Sequence, residues 1–533
     1  MCQAVNRKRQ YLHRRLINWT IGNHIMSQLI PFVVLFCWSL SAKAAAEARL
    51  SFEQARQAVL NAEEELMTGG HTFLNDQESK VDDLFMQYKL GELSQGFRNA
   101  EQNAAALHFF KAKQLIDRSS VFRFLQQMPK GALLHLHNTA AVSSRWVVQN
   151  MSYMQGLLRC TNAAGLSILS FRRLPKQHGC QSQYVLVSDE RRNSIDPALY
   201  DQNFERLTNL YTPVPEFEYP TITAVWNKFQ DMFTTLGDAL CYLPVFRAYH
   251  WQLLEELYND NVMYVEIRTS LKELYDASGR TFPKEQTVRE LAAIDEKFRR
   301  LHPNFLGMKI INAVFRATSL EEIQNRIQYF RQLHQQFPNF VVGFDLVGQE
   351  DKGKPLYSFL PALQDLPPTA RFFFHAGETN WFGASTDINL LDALLLNTTR
   401  IGHGYALAKH PILMNAVKTR DIAVEVSPIS NQVLHLVWDM RNHPGAQYLA
   451  LNVPIVICND DPGFWNAKGL SYDFYYAIMS LAPNNAGLRL LKTLVWNSVR
   501  YSLLEEGERR RAYELLEKSW SRFIDKVLQG SVF

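Results

Sequence analysis

Cysteine is scarce in this 533-residue chain, with six in all. The sequence is therefore no small disulfide scaffold that needs bridges in place of a core. It contains no P-loop and no Gly-x-Ser-x-Gly elbow, so phosphoryl transfer and acyl-serine chemistry lack a signature. It has no low-complexity tract and no internal repeat of 20 to 50 residues, which excludes solenoids and propellers. What remains is a globular composition, 47% hydrophobic and 20% charged, long enough for one large domain and a smaller one.

Acidic residues are missing from the first 44 positions, which hold Arg7, Lys8, Arg9, Arg14, Arg15 and Lys43. An apolar run from Leu29 to Leu40 follows the basic residues and leads to Ala42-Lys43-Ala44. A positive leader, a short apolar core and a small-x-small site describe a secretory signal peptide over 1–44, with Met26 as an alternative start. The run is shorter than the ~20 residues that span a bilayer, although a signal-anchor is the other reading of the same segment. Without these residues the chain keeps 50 of its 56 Lys and Arg against 52 Asp and Glu. Its balance of −2 gives no argument for nucleic acid or a membrane surface. Export leaves four cysteines in an oxidising compartment. Cys160 and Cys180, close together in a loop-like region, are expected to pair, and Cys241 and Cys458 to be buried thiols. Asn150-Met-Ser and Asn397-Thr-Thr are glycosylation sequons, the first expected to be the more exposed.

Residues 45–128 carry apolar positions at helical spacing and no convincing strand, which predicts an all-helical extension, either a cover for the main domain or a dimerisation element. Eight short apolar runs then alternate with helical patterns over 129–533. They are Gly131 to His137, Val262 to Thr269, Leu306 to Val314, Phe340 to Gly348, Arg371 to Glu378, Thr399 to Gly404, Ile422 to Pro428 and Pro454 to Pro462. Ser319 and Glu322 suggest a capping box on one intervening helix. The pattern predicts an α/β fold, a (β/α)8 TIM-type barrel, over an open doubly wound sheet, since no Gly-x-Gly-x-x-Gly turn follows the first strand. More than 120 residues separate the first two strands, and about 145–205 reads as a disulfide-bearing insertion on the rim.

The first run ends His-Leu-His. On an extended strand His135 and His137 share a face, but a pair is too few for zinc, and alone it reads equally as two ordinary histidines. The other strand ends change the weighing. Strand five ends His375-Ala-Gly-Glu378, strand six Gly402-His403-Gly404, and strand eight Asn459-Asp460-Asp461. In such a barrel the active site lies at these C-terminal ends. Three histidines and one carboxylate would hold a zinc ion and leave a position for water, whose pKa then falls towards about 7. Glu378 could shuttle a proton, His403 orient the nucleophile, and Asp461 face the substrate.

Met128-Pro-Lys-Gly-Ala-Leu-Leu-His-Leu-His137, His375-Ala-Gly-Glu-Thr379, Arg400-Ile-Gly-His-Gly404, Ser427-Pro-Ile-Ser-Asn431 and Asp460-Asp-Pro462 together resemble the motif set of the adenosine deaminase superfamily. Gly469-Leu-Ser-Tyr-Asp-Phe474, the leader, the helical extension and the insertion are similar to its secreted branch, the adenosine deaminase growth factors. The resemblance implies a secreted zinc aminohydrolase, with one Zn²⁺ per chain on His135, His137, His375 and Asp460. Glu378 would protonate the purine at N1 and His403 would hold the attacking hydroxide. Asp461 and the Gly348 backbone would take the ring nitrogens, with Trp226 beside the nucleoside. It also implies a purine nucleoside substrate; the helical extension offers a homodimer contact, and the insertion either binds a cell-surface receptor or polysaccharide or shields the site. Two positions depart from the branch. Asn138 stands where Asp is usual after His-x-His, and Phe315 where His is usual late in strand three. Each lost charge-assisted hydrogen bond is worth about 1.5 to 3 kcal/mol. The alternative implied by those two positions is a growth-factor-like or nucleoside-binding protein with weak or no turnover.

Overall fold

The computed structural model describes residues 51–174, 180, 182–367 and 369–532. The signal peptide expected over 1–44 lies outside the described residues. Among those residues no helix is long and apolar enough to cross a membrane. The chain divides into two compact units, 1–65 and 66–533. In the first, residues 52–65 belong to the helix Phe52–Leu66, which has no buried position.

The second unit is built on eight parallel strands. Gly131–His137, Val262–Thr269, Gly307–Phe315, Val341–Val347 and Arg371–Phe372 pair in that order, as do His375–Ala376, Arg400–His403, Ala423–Val426 and Ile455–Ile457. Strand five is thus two short pieces around Phe373-Phe374, not the single run expected over Arg371 to Glu378. Strand eight stops at Ile457, and Asp460 beyond it has left the extended conformation with φ +59°. Asp460 closes the barrel through its backbone: it donates to the His135 carbonyl (3.2 Å) and accepts from the His137 N–H (2.9 Å). The strands are almost wholly buried, as a sheet covered on both faces requires.

Around the barrel, the helix Leu320–Gln336 starts at Ser319, whose hydroxyl accepts from the Glu322 N–H (3.1 Å). Only that half of the expected capping box forms, because the Glu322 carboxylate binds Arg326 instead (2.6 Å). Among the described residues before the barrel there are helices at Asp76–Arg98, Phe109–Ile116 and Ser120–Gln127 and no strand. The insertion holds a small antiparallel sheet of Leu158–Thr161, Ser167–Ser170 and Val185–Leu186, which its mixed polar sequence did not announce. Cys160 and Cys180 are disulfide-bonded there, and Cys241 and Cys458 are buried free thiols. Asn150 and Asn397 are both exposed, so burial does not rank the two sequons.

Candidate active site

Three imidazole nitrogens and one carboxylate oxygen converge at the C-terminal end of the barrel. His135 Nε2 lies 3.3 Å from His137 Nε2, which lies 3.4 Å from His375 Nε2. Asp460 Oδ1 is 3.2 Å from the first of these and 3.1 Å from the second. Donors at about 2.0–2.2 Å from a tetrahedrally held zinc would be about 3.4 Å apart, a spacing these four separations approach, and the donor types suit zinc. Asp460 Oδ1 is buried and accepts no hydrogen bond, as an atom reserved for an ion would be. His403 borders the same point, and its nearest nitrogen completes a second overlapping quartet with His135, His375 and Asp460. Its Nε2 is 3.8 Å from Asp460 Oδ2 and 3.7 Å from Glu378 Oε1, and is also without a hydrogen-bond partner.

Local backbone makes this convergence. His403 ends its strand at φ +60° and Asp460 follows its own at φ +59°, a left-handed conformation that costs a non-glycine residue of order 1 kcal/mol or more. The strain turns both side chains inward where a continued strand would have alternated them.

Behind the donors sits a layer that the motif reading missed. His135 Nδ1 bonds Glu425 (2.8 Å) and His375 Nδ1 bonds Asp345 (2.7 Å), leaving each Nε2 free to face inward. Arg268 bridges these carboxylates, reaching Asp345 at 2.7 Å and Glu425 at 2.6 Å. Arg400 binds Glu425 (2.7 Å) and Glu266. All five charged groups are fully buried. Against burial, which acts the other way, His375 and Arg268 hold the Asp345 carboxyl well below the usual range. Burial pushes His375 down to about 3. The available signal was a charge inside an apolar strand, as in Val-Glu-Ile-Arg over 265–268 or Val-Glu-Val over 424–426. Such a charge must be paired.

Glu378 faces the cluster from the turn after strand five. Its backbone N–H and that of Gly377 donate to buried Glu350 (2.6 and 3.1 Å), which fixes the turn. Burial, with the charges of Asp460 and Glu350, lifts the Glu378 carboxyl well above its ordinary range. Asp461 is lifted likewise by burial and by Asp460. A cavity of about 1010 Å³ opens on this centre, and Asn138, Trp226, Phe315 and Gly348 line it together with His137, His375, Glu378, His403, Asp460 and Asp461. His135 lies beneath that lining, fully buried. Trp226 is 5% exposed and packs edge-on against Phe229, whereas Phe315 is 48% exposed within the cavity wall. Gly348 has φ +102°, and a Cβ there would lie 2.4 Å from the Phe315 ring, so the close approach requires glycine.

Residues 208–519 match the adenosine deaminase family model, and 32–125 the model described as adenosine/AMP deaminase N-terminal. The chain belongs to the adenosine deaminase family. It is a hydrolytic deaminase by that membership, and the His/Asp cluster is its candidate metal site. Adenosine deaminase 2 of Pongo abelii is 41% identical over 483 residues, covering 90% of this chain and 94% of that protein. The Homo sapiens protein of the same name is 40% identical over 486 residues, with the same coverage. Among solved structures, the Arabidopsis N6-mAMP deaminase superposes with a TM-score of 0.53 at 18% identity, over 74% of this chain and 99% of that one. That likeness shows the shared barrel fold.

Proposed function

We propose that this protein is an exported zinc-dependent deaminase that converts adenosine or 2'-deoxyadenosine to inosine or 2'-deoxyinosine with release of ammonia. The observation that carries the reading is the convergence of His135, His137, His375 and Asp460, with four of their donor separations at 3.1–3.4 Å, under a cavity that also holds Glu378 and His403. Those four residues would hold the ion, which when bound supplies a Lewis acid that makes water acidic near neutral pH. Glu378, whose buried carboxyl favours the protonated form, gives its proton to the purine N1 and so draws electron density from C6. His403 Nε2 orients the attacking water towards C6. Asp461 Oδ1, buried without a partner, and the Gly348 N–H take the ring nitrogens, and Trp226 packs beside the nucleoside. The leader, the Cys160–Cys180 bond and the exposed Asn150 support export and glycosylation.

One test is to purify the exported chain, measure bound zinc, and follow the absorbance of adenosine with Glu378→Ala as control. We expect one zinc per chain in both proteins and a loss of about 10²-fold or more in kcat for the variant. Stoichiometric zinc with no turnover of any purine nucleoside would sink the enzyme reading. It would favour the growth-factor-like or nucleoside-binding alternative, towards which neutral Asn138 and apolar Phe315 in the cavity wall point.

A further inference from the structure

We propose that Asn431 and His443 are positioning residues that lock His403 in the tautomer carrying its proton on Nε2, which excludes His403 from the metal's ligands and makes it a hydrogen-bond donor into the site. The assignment follows from a single backbone amide. The Gly445 N–H, the first of the helix Gly445–Ala450 and so without an intrahelical acceptor, donates to His443 Nδ1 (2.9 Å). An amide N–H can only donate, so His443 Nδ1 must be the acceptor and the proton of this neutral ring must sit on Nε2. That Nε2–H faces the Asn431 side chain at 2.8 Å, which must therefore present its oxygen. The other end of the same amide is then the NH₂, and it donates to His403 Nδ1 at 3.2 Å. His403 Nδ1 is thereby an acceptor, and its proton is left on Nε2.

Each link is buried, so no water competes for it: Asn431 is 0%, His403 1% and His443 2% exposed. Burial also holds both rings in the neutral form. The chain runs from the helix after strand seven, Pro428–Val433, through the segment before Gly445–Ala450, and neither motif nor spacing marks His443 as part of the site. Of the two overlapping quartets around Asp460, the relay leaves His135, His137 and His375 as the nitrogens with lone pairs facing inward. His403 Nε2, unpartnered and 3.7 Å from Glu378 Oε1, instead offers a proton to an oxygen. What that donated bond does rests on the deaminase reading above; where the proton sits does not.

Asn431→Asp tests the lock with little change of shape. An ionised carboxylate accepts from His443 Nε2–H as before but can only accept from His403, which must move its proton to Nδ1 and turn a lone pair into the site. We expect kcat to fall by about 10²-fold or more with KM within about threefold and zinc content unchanged. The second readout needs no activity. In protein labelled with ¹⁵N-histidine, with the His403 ring identified by its loss in His403→Gln, Nδ1 should be unprotonated in the wild type and protonated in Asn431→Asp. A wild-type His403 protonated on Nδ1 would overturn the proposal, as would Asn431→Asp with wild-type kcat. A zinc-loaded wild type inactive on purine nucleosides would instead refute the deaminase reading, while the ¹⁵N measurement still decides the tautomer.

Discussion

Glu425→Gln would cut into the charged layer at its most connected point. Glu425 is fully buried and accepts three hydrogen bonds, from His135 Nδ1 (2.8 Å), Arg268 Nη2 (2.6 Å) and Arg400 Nε (2.7 Å). Glutamine has nearly the same volume but one acceptor oxygen and an NH₂, so at least one of the three donors must face another donor. Arg268 keeps Asp345 and Arg400 keeps Glu266, so neither cation is stranded. Removing one partner of a buried ionic group costs about 3–5 kcal/mol, and the retained partners and volume put this case near the lower end. His135 also loses the carboxylate that holds its Nδ1 proton. For a metal-ligating histidine that partner is worth about 10- to 100-fold in metal affinity. We therefore expect Glu425→Gln to fold with a lowered unfolding free energy and to bind zinc about 10- to 100-fold more weakly, measured by competition against a chromophoric chelator at fixed pH. A folded Glu425→Gln protein with wild-type zinc affinity would refute the view that this layer sets the donor geometry.

Two further substitutions test other parts of the argument. Gly348→Ala places a Cβ 2.4 Å from the Phe315 ring at φ +102°, so denaturation should show a loss of about 1–3 kcal/mol. Adding Phe315→Ala should recover only the part due to the contact; full recovery would show that the backbone is unstrained. Asp295 accepts from Arg299 (2.9 Å) and from the Met308 N–H (2.9 Å), and burial lifts its carboxyl from 3.8 to about 6. Between those values the folded chain holds a proton that the unfolded chain has lost, so the contribution is present below 3.8 and disappears as pH rises through 6. Relative to Asp295→Asn, the wild type should gain up to about 3 kcal/mol on acidification through this window. Parallel stability curves for the two proteins would refute the shift.

The barrel was legible because its strands are buried on both sides and so read as near-continuous apolar runs, each ended by a chemically distinct residue. The exact reach of those strands was not. His403 and Asp460 bend out of extended geometry at φ near +60°, a conformation that His and Asp adopt more readily than most residues but that an apolar strand pattern does not announce. His135, His137, His375 and Asp460 could be picked out because each stands at a strand end. Glu425, Asp345, Arg268 and Arg400 lie within strands, where their partners come from other strands far along the chain. Sequence shows that such a charge needs a partner but not which one. His443 offered still less, since Arg-Asn-His-Pro reads as an ordinary turn and its link to His403 passes through a side-chain amide.

The buried charges explain why an ionic layer occupies ground that such barrels usually fill with branched apolar side chains. Arg268 and Arg400 face Asp345, Glu425 and Glu266, which leaves one negative charge uncompensated. Asp460 adds a second directly above, held well below its usual range, against burial, by His135 and His137. Arg316 and Glu350, 3.7 Å apart, cancel each other, and burial drives Glu378 and Asp461 towards their neutral forms. Negative charge therefore outweighs the two guanidinium groups in this buried layer, and His135, lifted above its ordinary range by Asp460 and Glu425 against burial and Arg268, offsets part of it; unpaired buried charge costs several kcal/mol. The layer beneath the donors and the candidate metal site above it thus form one electrostatic unit, in which the carboxylates that orient His135 and His375 also place negative charge next to the donors.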